Sequence, residues 1–302
     1  MASPDGTEEV GEALPLRLRA HDGYELGARL YEKPGGGTPP RAALLHCGAG
    51  IPAVRYGRFA RYLAGLGIPT LTYDYRGIGL SRPGRLRGFH AAIEDWAEYD
   101  CAGAIAWLRQ RYGAAEIVGI AHSIGALLAG GAHNSAEQSR LVLIGGHTGY
   151  YGDYSWRYRL PMTLLWHALM PAVTRVCGYF PARRLGLGED IPGMFAAQWA
   201  GRRSPDLRPT PEHAGRVHSF LDRCASLQRS ALLVTIADDA FATPSGTRHL
   251  MAYYPRLSPL HYLHFTPADA GVRRIGHFGF FSRHAGPPIW PRLLQAMEAV
   301  PR

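Results

Sequence analysis

The sequence predicts an α/β protein: a mostly parallel central sheet flanked by helices, interrupted by a helical cap insertion. Three observations predict it. Short, continuous apolar runs bounded by glycine recur along the chain, as strands buried on both faces of a parallel sheet require. These runs alternate with segments of helical periodicity, a β, α, β, α order that implies right-handed crossovers and helices on both faces. One stretch of about 80 residues breaks the alternation, far more than a strand-to-strand connection needs.

Taken in order, residues 1–12 are acidic and without an apolar core, so they read as a flexible tail rather than a secretory signal. Residues 13–34 alternate apolar and polar around His21-Asp22-Gly23, the pattern of an antiparallel hairpin. The run at 42–47 is a buried strand ending in Gly48-Ala49-Gly50. Residues 55–67 are helical and stop on Gly67; 68–77 form a second buried strand leading into a glycine-rich loop. A long helix covers roughly 91–112, with Trp96, Ala104, Trp107 and Leu108 among its core contacts. Residues 116–122 are a third strand, followed by a helix beginning near Ile124, and 140–146 are a fourth. The alternation resumes with strands at 231–239 and 261–267 and a final helix around 289–299. The expected organisation is therefore a core of residues 13–147 and 229–302, with 148–228 as the cap.

Composition bounds the function. The chain has 302 residues, 46% hydrophobic and 19% charged, which excludes a disordered, collagen-like or coiled-coil protein. No apolar run reaches about 18 residues, so no membrane-spanning helix is expected. The formal charge is +9, yet the arginines are scattered and form no long basic run, which argues against a nucleic-acid partner. Cys47, Cys101, Cys177 and Cys224 include no C-x-x-C pair, and His261 with His264 has no third ligand at suitable spacing, so neither a metal nor a cofactor is predicted. Thiols of this kind suit a reducing cytoplasm.

The chemistry collects at strand ends. Ala121-His122-Ser123-Ile124-Gly125 runs from a buried strand into a helix through a serine with small residues two positions either side, the pattern of a nucleophile elbow. A turn that tight leaves no room for larger side chains at those two positions. Partners follow in the order nucleophile, acid, base: Asp238 and Asp239 end a buried strand, and His277 sits in a glycine-flanked loop after the last one. Such a serine needs a neutral imidazole to take its proton and a carboxylate to orient that imidazole. An oxyanion would also need two N–H donors: Ile124, and Gly48 or Ala49 from the loop after the first buried strand. Cys47 reads as a packing residue, and His122 as a structural hydrogen-bonding group pointing away from the hydroxyl.

These residues resemble the α/β-hydrolase superfamily. Asp74-Tyr75-Arg76-Gly77-Ile78-Gly79-Leu80-Ser81 is similar to that superfamily's D-x-R-G-x-G-x-S loop, a structural turn beneath the site. Residues 73–79, 85–89, 178–186 and 276–281 together resemble a bacterial branch of predicted hydrolases related to serine aminopeptidase-type hydrolases and monoglyceride lipases. The resemblance runs from about residue 13 to the end. It departs at Ala121, where glycine is usual, and at His46-Cys47-Gly48-Ala49, where a Gly-Ala-Thr-Gly run is more common. In this family the acid loop usually ends in Thr or Pro four residues after the acid, so Thr243 and Pro244 favour Asp239 over Asp238.

The resulting expectation is a serine hydrolase acting on an ester, lactone or thioester of a small molecule, with Ser123, Asp239 and His277 as its triad. His46, Tyr150, Tyr154 and Trp156 are candidate pocket residues. The alternatives are an acyltransferase or cyclising enzyme with the same site, or a catalytically silent binding protein of the same fold.

Overall fold

The computed structural model describes residues 13–35, 37–207 and 213–301. The expected tail, residues 1–12, lies outside the described residues. Leu14–Arg19 (β1) and Glu25–Tyr31 (β2) pair antiparallel around Gly23, as the alternation predicts. Arg41–His46 (β3) has five of its six residues buried and lies in the middle of the sheet. Gly57–Gly65 (α1) turns Phe59, Ala60 and Leu63 inward and leads to Thr70–Tyr73 (β4).

β4 is shorter than the sequence suggests because the chain leaves the sheet at Asp74. The Asp74 carboxylate accepts the N–H groups of Ala53 (2.6 Å) and Leu80 (2.8 Å), and Ser81 Oγ donates to the Asp74 carbonyl while accepting the Gly27 N–H. The D-x-R-G-x-G-x-S segment is thus a buried hydrogen-bonded clasp between three stretches of chain. The long helix forms as Ile93–Asp95 (α2) and Ala102–Tyr112 (α3), joined by a π-helical segment at Trp96–Cys101. Trp96 stacks on Tyr75 at 4.7 Å and on Phe195 at 4.1 Å.

Glu116–His122 (β5) feeds Gly125–Leu128 (α4), a helix of one turn only. Gly130-Gly131 follow its end, and an added Cβ there would lie 2.4 Å from the Tyr254 ring and 2.2 Å from Phe220 respectively. Gln138–Ile144 (β6) is followed, between residues 145 and 229, by Trp156–Leu164 (α5), Met170–Cys177 (α6), the short ribbon of Tyr179–Phe180 (β7) and Ile191–Pro192 (β8), Gly193–Ala200 (α7) and Ala214–Ser226 (α8). Ser230–Ile236 (β9), Pro244–Ala252 (α9), Leu260–Phe265 (β10), Gly276–Gly279 (α10) and Gly286–Ala299 (α11) complete the chain.

The eight main strands are ordered β1-β2-β4-β3-β5-β6-β9-β10, parallel from β4 to β10 and antiparallel at the β1-β2-β4 edge. Parallel strands bring all their C-terminal ends to one rim, which is where β3, β5, β6 and β9 deliver the residues of the site. Residues 82–89 meet the segment between β6 and β9: Arg87 donates to the Val176 carbonyl at 2.9 Å, and Arg82 pairs with Asp190 at 2.8 Å. No described helix is long and apolar enough to cross a membrane.

Candidate active site

Ser123 sits between β5 and α4 with φ +58°, the only non-glycine residue with positive φ among the described residues. A side chain held there carries roughly 1–3 kcal/mol of strain, which persists only when the surroundings over-determine it. Here β6 fixes the serine, whose N–H donates to the Ile144 carbonyl at 3.1 Å. The close approach of Gly125 does the rest. A Cβ on Gly125 would stand 2.6 Å from both the His46 and Cys47 carbonyl oxygens, which are backbone and have nowhere to go. Gly125→Ala should therefore lower stability by about 3 kcal/mol. Urea unfolding checks this, and an unchanged midpoint would contradict it.

Around Ser123 the structure assembles a linear chain of groups. Ser123 Oγ lies 2.8 Å from His277 Nε2, and His277 Nδ1 lies 2.8 Å from Asp239 Oδ2. All three residues are buried. Asp239 sits just beyond β9, where its other oxygen accepts the N–H groups of Phe241 and Ala242, both at 2.9 Å. Burial pulls the Asp239 carboxyl upward, but the His277 imidazole and these two donors outweigh it and hold the group at about 2. A carboxylate there fixes the imidazole proton on Nδ1 and leaves Nε2 as an acceptor facing the serine.

Asp238, the competing candidate, has a different task. Its two oxygens accept the N–H groups of Ile275 (3.0 Å) and Gly276 (2.9 Å), pinning the loop that carries His277. His122 points away from the hydroxyl. It lies 3.0 Å from the His277 carbonyl through Nε2, and Tyr56 Oη donates to its Nδ1 at 2.9 Å. Burial, with the neighbouring His277, pushes His122 down to about 3, so it is neutral.

Tyr56 alters one expectation. Its hydroxyl accepts the Gly48 N–H at 2.8 Å, so that donor is already engaged and does not face an oxyanion. The N–H groups of Ile124 and Ala49 have no partner among the described residues. Gly48 itself packs against the elbow, since a Cβ there would lie 3.2 Å from Ser123 Cβ.

A second histidine, missed in the sequence, touches Ser123. His147 Nε2 lies 3.1 Å from Ser123 Oγ, and its Nδ1 accepts the Gly149 N–H at 2.9 Å. Burial, reinforced by His277, pushes its pKa well below the usual histidine value, so the ring is neutral and its one proton is on Nε2. The signal was present: His147 follows Gly145-Gly146 just past β6, at the rim where the other site residues collect.

The candidate pocket residues fare differently. His46 is fully buried, its ring nitrogens 2.8 Å from Tyr73 Oη and Gln138 Oε1, and contributes to the sheet interior rather than a pocket. Its side chain lies on the face of β3 that meets Tyr73, Gln138 and Cys101, not on the face toward Ser123. Trp156 is 75% exposed on the outer side of α5 and lines neither of the two cavities below. Tyr150 is half-buried against Tyr151. Tyr154 is buried against His147, Trp166 and Phe241, next to the site.

Instead, a cavity of about 20 Å3, room for a single water, is lined by Ile124 together with Ile93, Phe195, Gln198, Trp199, Arg202 and Leu207. Beyond it lies a cleft of about 720 Å3 between α7, the 201–207 segment and residues 88–93. Among the described residues no cluster of three His, Cys, Asp or Glu side chains is placed to hold a metal ion.

A family model described as serine aminopeptidase, S33, matches residues 38–177. No curated protein sequence matches the chain. Solved structures share its fold. The Pyrococcus furiosus esterase Pf2001 is 14% identical, with 99% of this chain and 92% of that one covered and a TM-score of 0.58. A Paleococcus ferrophilus monoacylglycerol lipase is 16% identical, with 91% and 98% covered and a TM-score of 0.56. A hypothetical protein from Pseudomonas aeruginosa is 14% identical, with 99% and 98% covered and a TM-score of 0.61.

Proposed function

We propose that this chain, which has the α/β-hydrolase fold, is a serine hydrolase that cleaves an ester-type acyl bond of a small molecule. The observation that carries the reading is the Ser123–His277–Asp239 relay, two 2.8 Å contacts ending on a hydroxyl held in a strained elbow. The esterase and lipase neighbours support the same class of bond.

In this mechanism Ser123 Oγ attacks the carbonyl carbon and its proton passes to His277 Nε2. The carbonyl oxygen becomes an oxyanion facing the free N–H groups of Ile124 and Ala49. Collapse breaks the carbon–oxygen bond to the leaving group, which departs as an alcohol with the proton from His277. Water then attacks the acyl-enzyme and gives a proton to His277. The second tetrahedral species releases the carboxylic acid and returns the proton to Ser123 Oγ.

His147 acts as a positioning residue. As an N–H donor it can only be accepted by the serine oxygen, so the serine O–H is left to point at His277. Residues 148–228 act as a cap over the site, and four free thiols suit a reducing cytoplasm as its setting.

A fluorophosphonate probe tests the reading. The wild-type protein should be labelled at Ser123 and Ser123→Ala should not be. A folded wild type that stays unlabelled, or an alanine variant labelled equally, would overturn it.

A further inference from the structure

Arg202, which lines the small cavity with Ile124, is a buried cation that no carboxylate among the described residues pairs with. It is 8% exposed and follows the end of α7. Its Nη1 donates to the Thr148 carbonyl and its Nη2 to the Pro205 carbonyl at 2.7 Å. Both partners are neutral. Its Nε is buried with no hydrogen-bond partner, and no described carboxylate forms an ion pair with it. Of the acids whose fields reach it, Asp153 is turned to His249 and Ser245, and Asp206 is exposed.

Leaving a guanidinium dry and unpaired is expensive, and such a group is normally matched by an opposite charge. Burial accordingly pulls the Arg202 pKa down.

Its position says what would match it. The small cavity beside Ile124 and the large cleft share four lining residues: Ile93, Gln198, Arg202 and Leu207. These side chains separate the small cavity at Ile124, the residue after Ser123, from the open cleft, so a ligand entering from the cleft toward Ile124 passes the guanidinium. The charge is also felt at His147 and Tyr154, which flank the site. The remaining surroundings of the inner cavity are apolar, apart from Gln198, whose amide is already bonded to Ile93 and Glu94.

Resting on the hydrolase reading for the reacting bond, we infer that the substrate is an acid-bearing ester, with a carboxylate on one arm that pairs with Arg202 while Ser123 takes the ester carbonyl. Arg202 is the one buried guanidinium among the described residues lining the cleft, and a single guanidinium matches one negative charge, which favours a carboxylate over a phosphate dianion. An arginine already bonded to two carbonyls still has three of its five N–H groups for such a partner, and its planar fork suits a carboxylate.

Binding to the Ser123→Ala protein by calorimetry tests this without requiring turnover. The probes are monoethyl adipate, with the acid on the acyl arm, and 4-acetoxybutanoate, with the acid on the alcohol arm. Diethyl adipate and methyl 4-acetoxybutanoate are their neutral counterparts. At least one acid should bind ten-fold or more tightly than its neutral counterpart, with affinity falling as salt rises. Arg202→Gln in the same background should bring the charged and neutral ligands to equal affinity, and Arg202→Lys should retain part of the preference. If neither acid is preferred, or if the preference survives in Arg202→Gln, the inference is wrong. Should Arg202→Gln fail to fold, the lysine variant and the salt dependence of the parent protein decide. Failure of the hydrolase reading shows separately, as absence of fluorophosphonate labelling in the wild type.

Discussion

Replacing His277 by alanine should lower kcat on a short-chain ester by roughly 10⁵-fold, with Asp239→Asn costing roughly 10⁴-fold, because a serine hydroxyl is a poor nucleophile without a base to take its proton. The two effects should not add, since both act through the one imidazole. Asp239→Asn should be severe because the asparagine amide donates where the carboxylate accepts, and turns the imidazole into the wrong tautomer. His147→Leu should be much milder, about ten-fold, the value of one hydrogen bond orienting the hydroxyl. Steady-state kinetics on p-nitrophenyl butyrate would measure all three. Equal losses for His147→Leu and His277→Ala would mean that the base has been assigned to the wrong ring.

Acid should destabilise the protein from about pH 6 downward, well before ordinary carboxylates protonate. His46, His122 and His147 are fully buried and neutral; burial pushes the first to about 4, the second to about 3 and the third well below the usual value. In the unfolded chain all three return to about 6.5 and take up protons that the folded protein refuses. The folded state binds fewer protons, so stability falls as pH drops below 6.5 and keeps falling until the folded pKa values are reached. Asp100, which burial pushes up to about 7 against the pull of Arg76, works in the opposite direction, and burial raises Asp74 as well. The net effect is roughly 2 kcal/mol per pH unit between pH 6 and 4, large against a total stability of about 5–15 kcal/mol. Urea denaturation at successive pH values reads this slope. A flat profile from pH 7 to 5 would show that these rings are not buried neutral.

The histidines also show where reading the chain stops. His46 has the type and the position of a rim residue, immediately before the oxyanion loop, yet its ring lies inside between Tyr73 and Gln138. Strand residues alternate faces, and which face of β3 meets the site is set by packing on both sides. Trp156 fails for a related reason. An aromatic in an inserted helix can face inward or outward, and α5 turns this one to solvent.

The order of strands and helices, a serine with small residues two positions either side, and the succession of Ser123, the Asp238-Asp239 pair and His277 were written in the sequence alone, because period, glycine spacing and strand-end position are local properties of the chain. The tertiary structure decided that Asp239 rather than Asp238 faces His277, that Tyr56 takes the Gly48 N–H, that His147 stands beside Ser123, and that Arg202 lines the cavity at Ile124. These contacts range from Gly48 with Tyr56, 8 residues apart, through Ser123 with His147, 24 apart, to Asp239 with His277, 38 apart, and which side chains meet is fixed only when the sheet and the helices between β6 and β9 pack together.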